Sequence, residues 1–162
     1  EVLQLAGHVV LLDHGRVANS GPVSLVMGRP DSDASGGLFQ GGAVIDARVK
    51  SLDVEDGAAT LVFDGGELTV GRTQARVGDT VRLRIRAREV SLALTPPQDI
   101  SIQNMLCGQI TTLNVQQGEV TVAIQEGAVT VRSRITQRAA RRLALQPGMT
   151  IYALVKAIAL DR

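Results

Sequence analysis

The residues of this 162-residue chain with a capacity for chemistry are sparse, and most of them are basic. The segment Ile135-Thr136-Gln137-Arg138-Ala139-Ala140-Arg141-Arg142-Leu143 reads as the opening of a short helix. Thr136 is a good N-cap, Leu143 falls on the buried face, and Pro147-Gly148 supplies the stop. At the start of that helix the backbone N–H groups of Arg138, Ala139 and Ala140 lack helical partners and are able to receive an oxyanion. Lys156, in the strand that follows, can add a point charge to the same pocket. The plainer reading makes Arg138, Arg141 and Arg142 a solvated basic face.

Other chemistry finds little support. Cys107 is the single cysteine, so an internal disulfide is impossible. With no Cys or His near it in sequence, it is read as facing a packed interior, not as a metal ligand or nucleophile. His8 and His14 stand alone near the amino terminus and read as surface residues. No pair of titratable groups recurs beside a nucleophile or a metal set, so an enzyme is the least supported class.

The elements that must position these residues come from a duplication. Residues 77–94 return as residues 147–160, with Gly78, Thr80, Val81, Ile85, Arg86 and Ala87 matching Gly148, Thr150, Ile151, Val155, Lys156 and Ala157. A second block aligns Val49, Leu52, Val54, Gly57, Thr60, Gly66, Thr69 and Val70 with Ile110, Leu113, Val115, Gly118, Thr121, Gly127, Thr130 and Val131. Between the blocks the first copy has a short link, residues 71–76, where the second inserts the basic segment 132–146.

Within the first copy, residues 43–52 alternate loosely, with Val44, Ala47 and Val49 expected on the inner face. Residues 59–63 and 67–70 are strands joined through Asp64-Gly65-Gly66. Residues 81–87 show period two, with Val81, Leu83, Ile85 and Ala87 facing one way and Arg82, Arg84 and Arg86 the other. The arginine row has an anion track as one reading and a solvated outer face as the simpler one. A strand over 90–94 ends at Pro96-Pro97. Short strands with glycine turns at this spacing read as small barrels, mainly β, one per copy, with one short helix in the second.

Composition narrows the classes. Hydrophobic residues make up 44% and charged residues 20%, as in an ordinary soluble chain, but only 2% are aromatic, so aliphatic side chains must fill the core. A net charge of +1 argues against bulk nucleic-acid binding, which needs a strong positive field. A small OB-like nucleic-acid binder using the basic segment is further weakened because only Phe39, Phe63 and Tyr152 are available for stacking. The apolar runs are short and interrupted, so no membrane span or signal segment is expected.

Residues 1–30 lie outside the repeat. His8-Val9-Val10-Leu11-Leu12, a turn at Asp13-His14-Gly15 and a return over Arg16-Val17-Ala18 make a hairpin. With the helix expected over residues 23–30, this stretch resembles the last part of an ABC-transporter nucleotide-binding domain. No G-x-x-x-x-G-K-[ST] loop occurs in the chain, so ATP hydrolysis by this chain is not expected. Residues 31–42, rich in Gly, Ser and Asp, read as a linker. The expected division is thus 1–30, linker 31–42, first β unit 43–98 and second β unit 99–162.

Three further stretches, RIRAREVSLALTPP ahead of SIQNML, ITQRAARRLALQPG, and LVKA, make the chain resemble a wider family. Residues 99–162 resemble molybdate-binding Mop/TOBE modules, and the whole chain is similar to the carboxy-terminal part of the ATP-binding subunit of molybdate ABC transporters. The resemblance implies tandem OB-like barrels in a regulatory, dimer-forming module that senses molybdate or tungstate. It also implies an oxyanion site drawn from Ser101, Gln103 and Asn104, from the helix start at Arg138, Ala139 and Ala140, and from Lys156. Two positions depart from the family pattern: Gln103 stands where an arginine is expected and Ala139 where a serine is expected. No covalent cofactor is implied, and ATP and magnesium would belong to an upstream domain. The implied partners are a second copy of the chain and, through the parent subunit, a membrane permease, at the cytoplasmic face of the cell membrane. The alternative within this reading is an interaction module whose oxyanion site is silent.

Overall fold

The computed structural model describes residues 7–13, 15–22, 26, 42–156 and 158–161. The amino-terminal hairpin forms as expected, with β1 (His8–Asp13) antiparallel to β2 (Arg16–Pro22). His8 contacts the Ser20 hydroxyl across it at 3.1 Å. His14, the linker residues 31–41 and, apart from Val26, the expected helix over 23–30 lie outside the described residues.

The first repeat contributes β3 (Gly42–Leu52), β4 (Ala59–Phe63), β5 (Gly66–Val70), β6 (Thr80–Arg86), a 3-10 turn over Ala87–Glu89, and β7 (Val90–Ala93). The second contributes β8 (Asn104–Gln116), β9 (Glu119–Glu126), β10 (Val129–Thr136), a six-residue helix α1 (Gln137–Arg142), β11 (Thr150–Val155) and β12 (Ala159–Asp161). Two five-stranded antiparallel sheets result, ordered β5-β4-β3-β6-β12 and β10-β9-β8-β11-β7. The orders correspond strand for strand under the repeat, except that the last strand of each copy sits in the other copy's sheet. Val90 of β7 pairs with Val155 of β11, and Leu160 of β12 pairs with Leu83 of β6.

Matching irregularities support the duplication independently of the ladders. The β3–β4 register shifts between Val49 and Ser51, and the β8–β9 register shifts at the equivalent place, between Ile110 and Thr112. Gly78 donates to the Val49 carbonyl at 2.9 Å, and Gly148 donates to the Ile110 carbonyl at 2.7 Å. Both glycines hold positive φ, 94° and 87°, which a β-carbon would disfavour. Gly42 is required for another reason: a β-carbon there would meet the Ile85 carbonyl oxygen at 2.1 Å.

Period two sorts the strands into faces. In β3 the buried residues are Ala43, Ile45, Ala47 and Val49, while Asp46, Arg48 and Lys50 are exposed. Val44, expected on the inner face, is instead half-buried on the opposite one, because parity ties the inner face to Val49. The arginine row of β6 is also less solvated than expected. Arg82 pairs with Asp46 directly across the ladder at 2.8 Å, and the Arg84 Nε is buried. Cys107 is corrected too. It is exposed, because Leu106, Gly108 and Ile110 take the inward positions of β8.

The core is one aliphatic cluster running through both units, with Leu61, Leu83 and Ile85 from the first and Ile110, Val122, Ile124 and Ile151 from the second. The second sheet curls until its edges meet: β10 lies beside β7, and the fully buried Ser133 hydroxyl donates to the Val90 carbonyl at 2.6 Å. The fold is therefore mainly β, with a curled OB-like sheet and little helix. The exchange of β12 makes a specific prediction. A variant lacking residues 158–162 should lose amide protection in β6, which belongs to the other repeat, before β9 or β10; unchanged exchange in β6 would contradict the pairing.

Candidate functional site

The sequence-predicted site residues fall at the two ends of β8. At its start, Val155 of β11 pairs with Asn104 as the last pair of that ladder, and Gln103 and Lys156 each lie one residue beyond it. Ser101, Gln103 and Lys156 are all exposed there. The Lys156 N–H donates to the Glu89 carbonyl at 3.1 Å, which ties the backbone of this lysine to the 3-10 turn of the first repeat. Asn104 is buried, and its side-chain amide engages the backbone of Thr69 in β5: Oδ1 accepts from the N–H at 2.6 Å and Nδ2 donates to the carbonyl at 2.8 Å. This end of the sheet thus offers a cation, a hydroxyl and a neutral amide to solvent.

The helix lies elsewhere. Thr136 pairs with Glu119 of β9, and Glu119 pairs with Gln116, the last residue of β8. β8 is 13 residues long, but the closed edge of the sheet shortens the path from its end to its start: Arg88 of the 3-10 turn reaches Glu119, the ladder partner of Thr136, at 3.5 Å, and Lys156 bonds to Glu89 of the same turn. Within one chain the helix start, with Arg138, Ala139 and Ala140, and the end of β8 that carries Ser101, Gln103, Asn104 and Lys156 thus flank the same 3-10 turn of the first repeat. Thr136 caps the helix as expected, its Oγ1 accepting from the Ala139 N–H at 3.2 Å, so an anion at the helix start must compete for that group.

Beside the helix runs a groove of about 360 Å³ lined by Leu113, Val115, Val120, Ala140, Ala144 and Leu145, with Gln137, Arg141 and Gln146 at its polar margin. A more polar cavity of about 430 Å³ is formed by Gln116, Gln117, Glu119, Thr121 and Arg134. Glu119 is shared there by Arg134, at 3.9 Å, and Arg88, at 3.5 Å. The sequence reading missed this cluster, and alternation in β10, which sends Arg132 and Arg134 to the face opposite Val131 and Ser133, was the signal available. No group of metal-ligating side chains occurs among the described residues, and no helix among them is long and apolar enough to cross a membrane.

Residues 100–160 match the family model of the TOBE domain. Over its full length the chain is 42% identical to the molybdenum import ATP-binding protein ModC of Paramagnetospirillum magneticum, covering 45% of that protein. Over 99% of its length it is 40% identical to ModC of Hahella chejuensis, again covering 45% of the relative. The chain therefore spans less than half the length of these relatives. In fold it is similar to a crystal structure of the cytoplasmic molybdate-binding protein ModG with molybdate bound, with a TM-score of 0.64 and 21% identity over 73% of this chain and 94% of that one. The resemblance drawn from the sequence is borne out: the chain matches the TOBE-containing part of ModC-type ATP-binding subunits.

Near the exposed thiol, one carboxylate is held in an unfavourable setting. Burial raises the Glu126 pKa, opposed by the Cys107 N–H that Oε1 accepts at 3.3 Å, while Oε2 is buried without a partner. A carboxyl whose folded pKa lies above its unfolded value binds protons more tightly when folded, so its penalty is full above the folded pKa and is relieved as pH falls through it. Glu126→Gln keeps an acceptor for Cys107 and removes the charge. The variant should melt higher than the wild type at pH 7, with the difference shrinking as pH drops below the folded pKa. Thermal melts across pH check this, and a constant difference would contradict it.

Proposed function

We propose that the chain is the regulatory and dimer-forming part of a molybdate import ATP-binding subunit, and that it senses molybdate or tungstate as a cytoplasmic ligand. The observation that carries this reading is the similarity to molybdenum import ATP-binding proteins along the entire chain, repeat and amino-terminal hairpin included. In this reading residues 1–30 are the remnant of the nucleotide-binding domain, 31–42 the linker, and 43–98 and 99–162 tandem OB-like barrels. ATP and magnesium act in the rest of the parent subunit, which docks on a membrane permease at the inner face of the membrane.

The oxyanion site is then assembled from Ser101, Gln103 and Lys156 together with the helix start at Arg138, Ala139 and Ala140, while Asn104, its side chain held by Thr69, contributes through the place it gives this segment. In the homodimer of this reading the helix start of one copy meets the lysine end of another, so that the site is shared between subunits. Such a site turns ligand occupancy into a preference for one subunit arrangement, which is the requirement for regulation. Gln103 donates hydrogen bonds without charge, and replacing a charge-assisted bond to a dianion in this way forfeits about 1.5–3 kcal/mol. Binding is therefore weak.

A second reading, an interaction module with a silent site, is favoured by one specific observation: the Asn104 amide and the Ala139 N–H are already satisfied inside the chain. Calorimetry separates the two. Wild type should bind molybdate weakly, with sulfate competing; Gln103→Arg should tighten binding by restoring a bidentate cation, and Lys156→Ala should abolish it while shifting unfolding by only about 0.5 kcal/mol. Sedimentation run in parallel should show association strengthened by molybdate. No binding by the wild type and none by Gln103→Arg would leave only the interaction module.

A further inference from the structure

Asn104 belongs to the segment assigned to the oxyanion, yet its side chain faces the other unit. The residue is 8% exposed, and its amide pairs with both the N–H and the carbonyl of Thr69, 35 positions earlier in the chain. Thr69 lies in β5, the edge of the first sheet, so the amide takes the place of one residue of an absent neighbouring strand. Its orientation is determined by its partners. Exchanging Oδ1 and Nδ2 would set acceptor against acceptor and donor against donor.

This contact is not a general device of the repeat. Under the alignment that matches Val49 with Ile110, the position of Asn104 is filled in the first copy by Ala43, which has no side chain able to make such a pair. The clamp occurs where the exposed residues Ser101 and Gln103 lead directly into β8, at the ladder pair Asn104–Val155 that Lys156 follows, and it ties that end of the second sheet to the first.

We infer that Asn104 is a positioning residue that couples the segment carrying Ser101 and Gln103 to the edge strand of the first unit, so that an oxyanion held by the segment is sensed at β5. The ligand half of this inference rests on the oxyanion reading above. Whatever steadies the segment must steady Thr69, and the reverse holds by the reciprocity of linked equilibria.

Hydrogen exchange over residues 66–70 of the full chain, with and without molybdate, joined to calorimetry with the same anion, tests it. In Asn104→Ala, exchange over 66–70 should rise about tenfold while β9 stays protected. Molybdate should slow this exchange in the wild type but not in the variant, whose affinity should fall about tenfold. Asn104→Asp controls for misfolding: it is nearly isosteric and keeps the acceptor for the Thr69 N–H, but sets an oxygen against the Thr69 carbonyl. It should keep the wild-type circular dichroism spectrum and show the same uncoupling at neutral pH. Unchanged exchange over 66–70 in both variants overturns the tether. Wild-type affinity in both, with β5 still slowed by molybdate, overturns the coupling. Absence of any molybdate heat from the wild type overturns the oxyanion reading and the ligand half with it, while the exchange of the unliganded variants still decides the tether.

Discussion

The architecture depends on the pairing of β6 with β12 and of β11 with β7, in which each repeat completes the other's sheet. A strand left at an edge exposes a row of unsatisfied N–H and carbonyl groups, and in this chain each of these two edges is covered by the last strand of the opposite copy. Neither unit then has a complete sheet of its own, which agrees with a single aliphatic cluster that crosses between them. Two halves of this size would each bury too little surface to be robust alone. The exchange joins their cores and ladders into one cooperative structure.

Much of this was legible in the residues. The repeat announced itself through glycines whose purpose the structure makes physical: Gly78 and Gly148 hold the same left-handed turn and make the same hydrogen bond to Val49 and Ile110. Alternation located β6 and β11, and Thr136 marked the start of the helix. The exchange itself was not legible, because β7 and β12 are short apolar strands with similar patterns, and period two states which face a residue occupies without naming its neighbour strand. Parity also explains the local errors. Val44 and Cys107 are apolar enough to be placed inside, but each stands one residue out of phase with the buried set of its own strand.

For the candidate site the residues of the sequence suggest a set but state no geometry. Gln103 and Lys156 each follow the last ladder pair of β8 and β11, Asn104 with Val155, a relation that the repeat alone does not state. Asn104 and Thr69 carry no mark in sequence of their mutual contact, since a side-chain amide clasping a distant backbone leaves no periodic trace.

The reciprocal pairing also separates the order of synthesis from the order of assembly. Residues 80–86 leave the ribosome well before residues 159–161, which are their partners on one side. At ordinary translation rates that interval is on the order of ten seconds, far longer than the microseconds a hairpin needs to close. Throughout it β6 is an open edge of the nascent first sheet, and the strand that covers it has not been made.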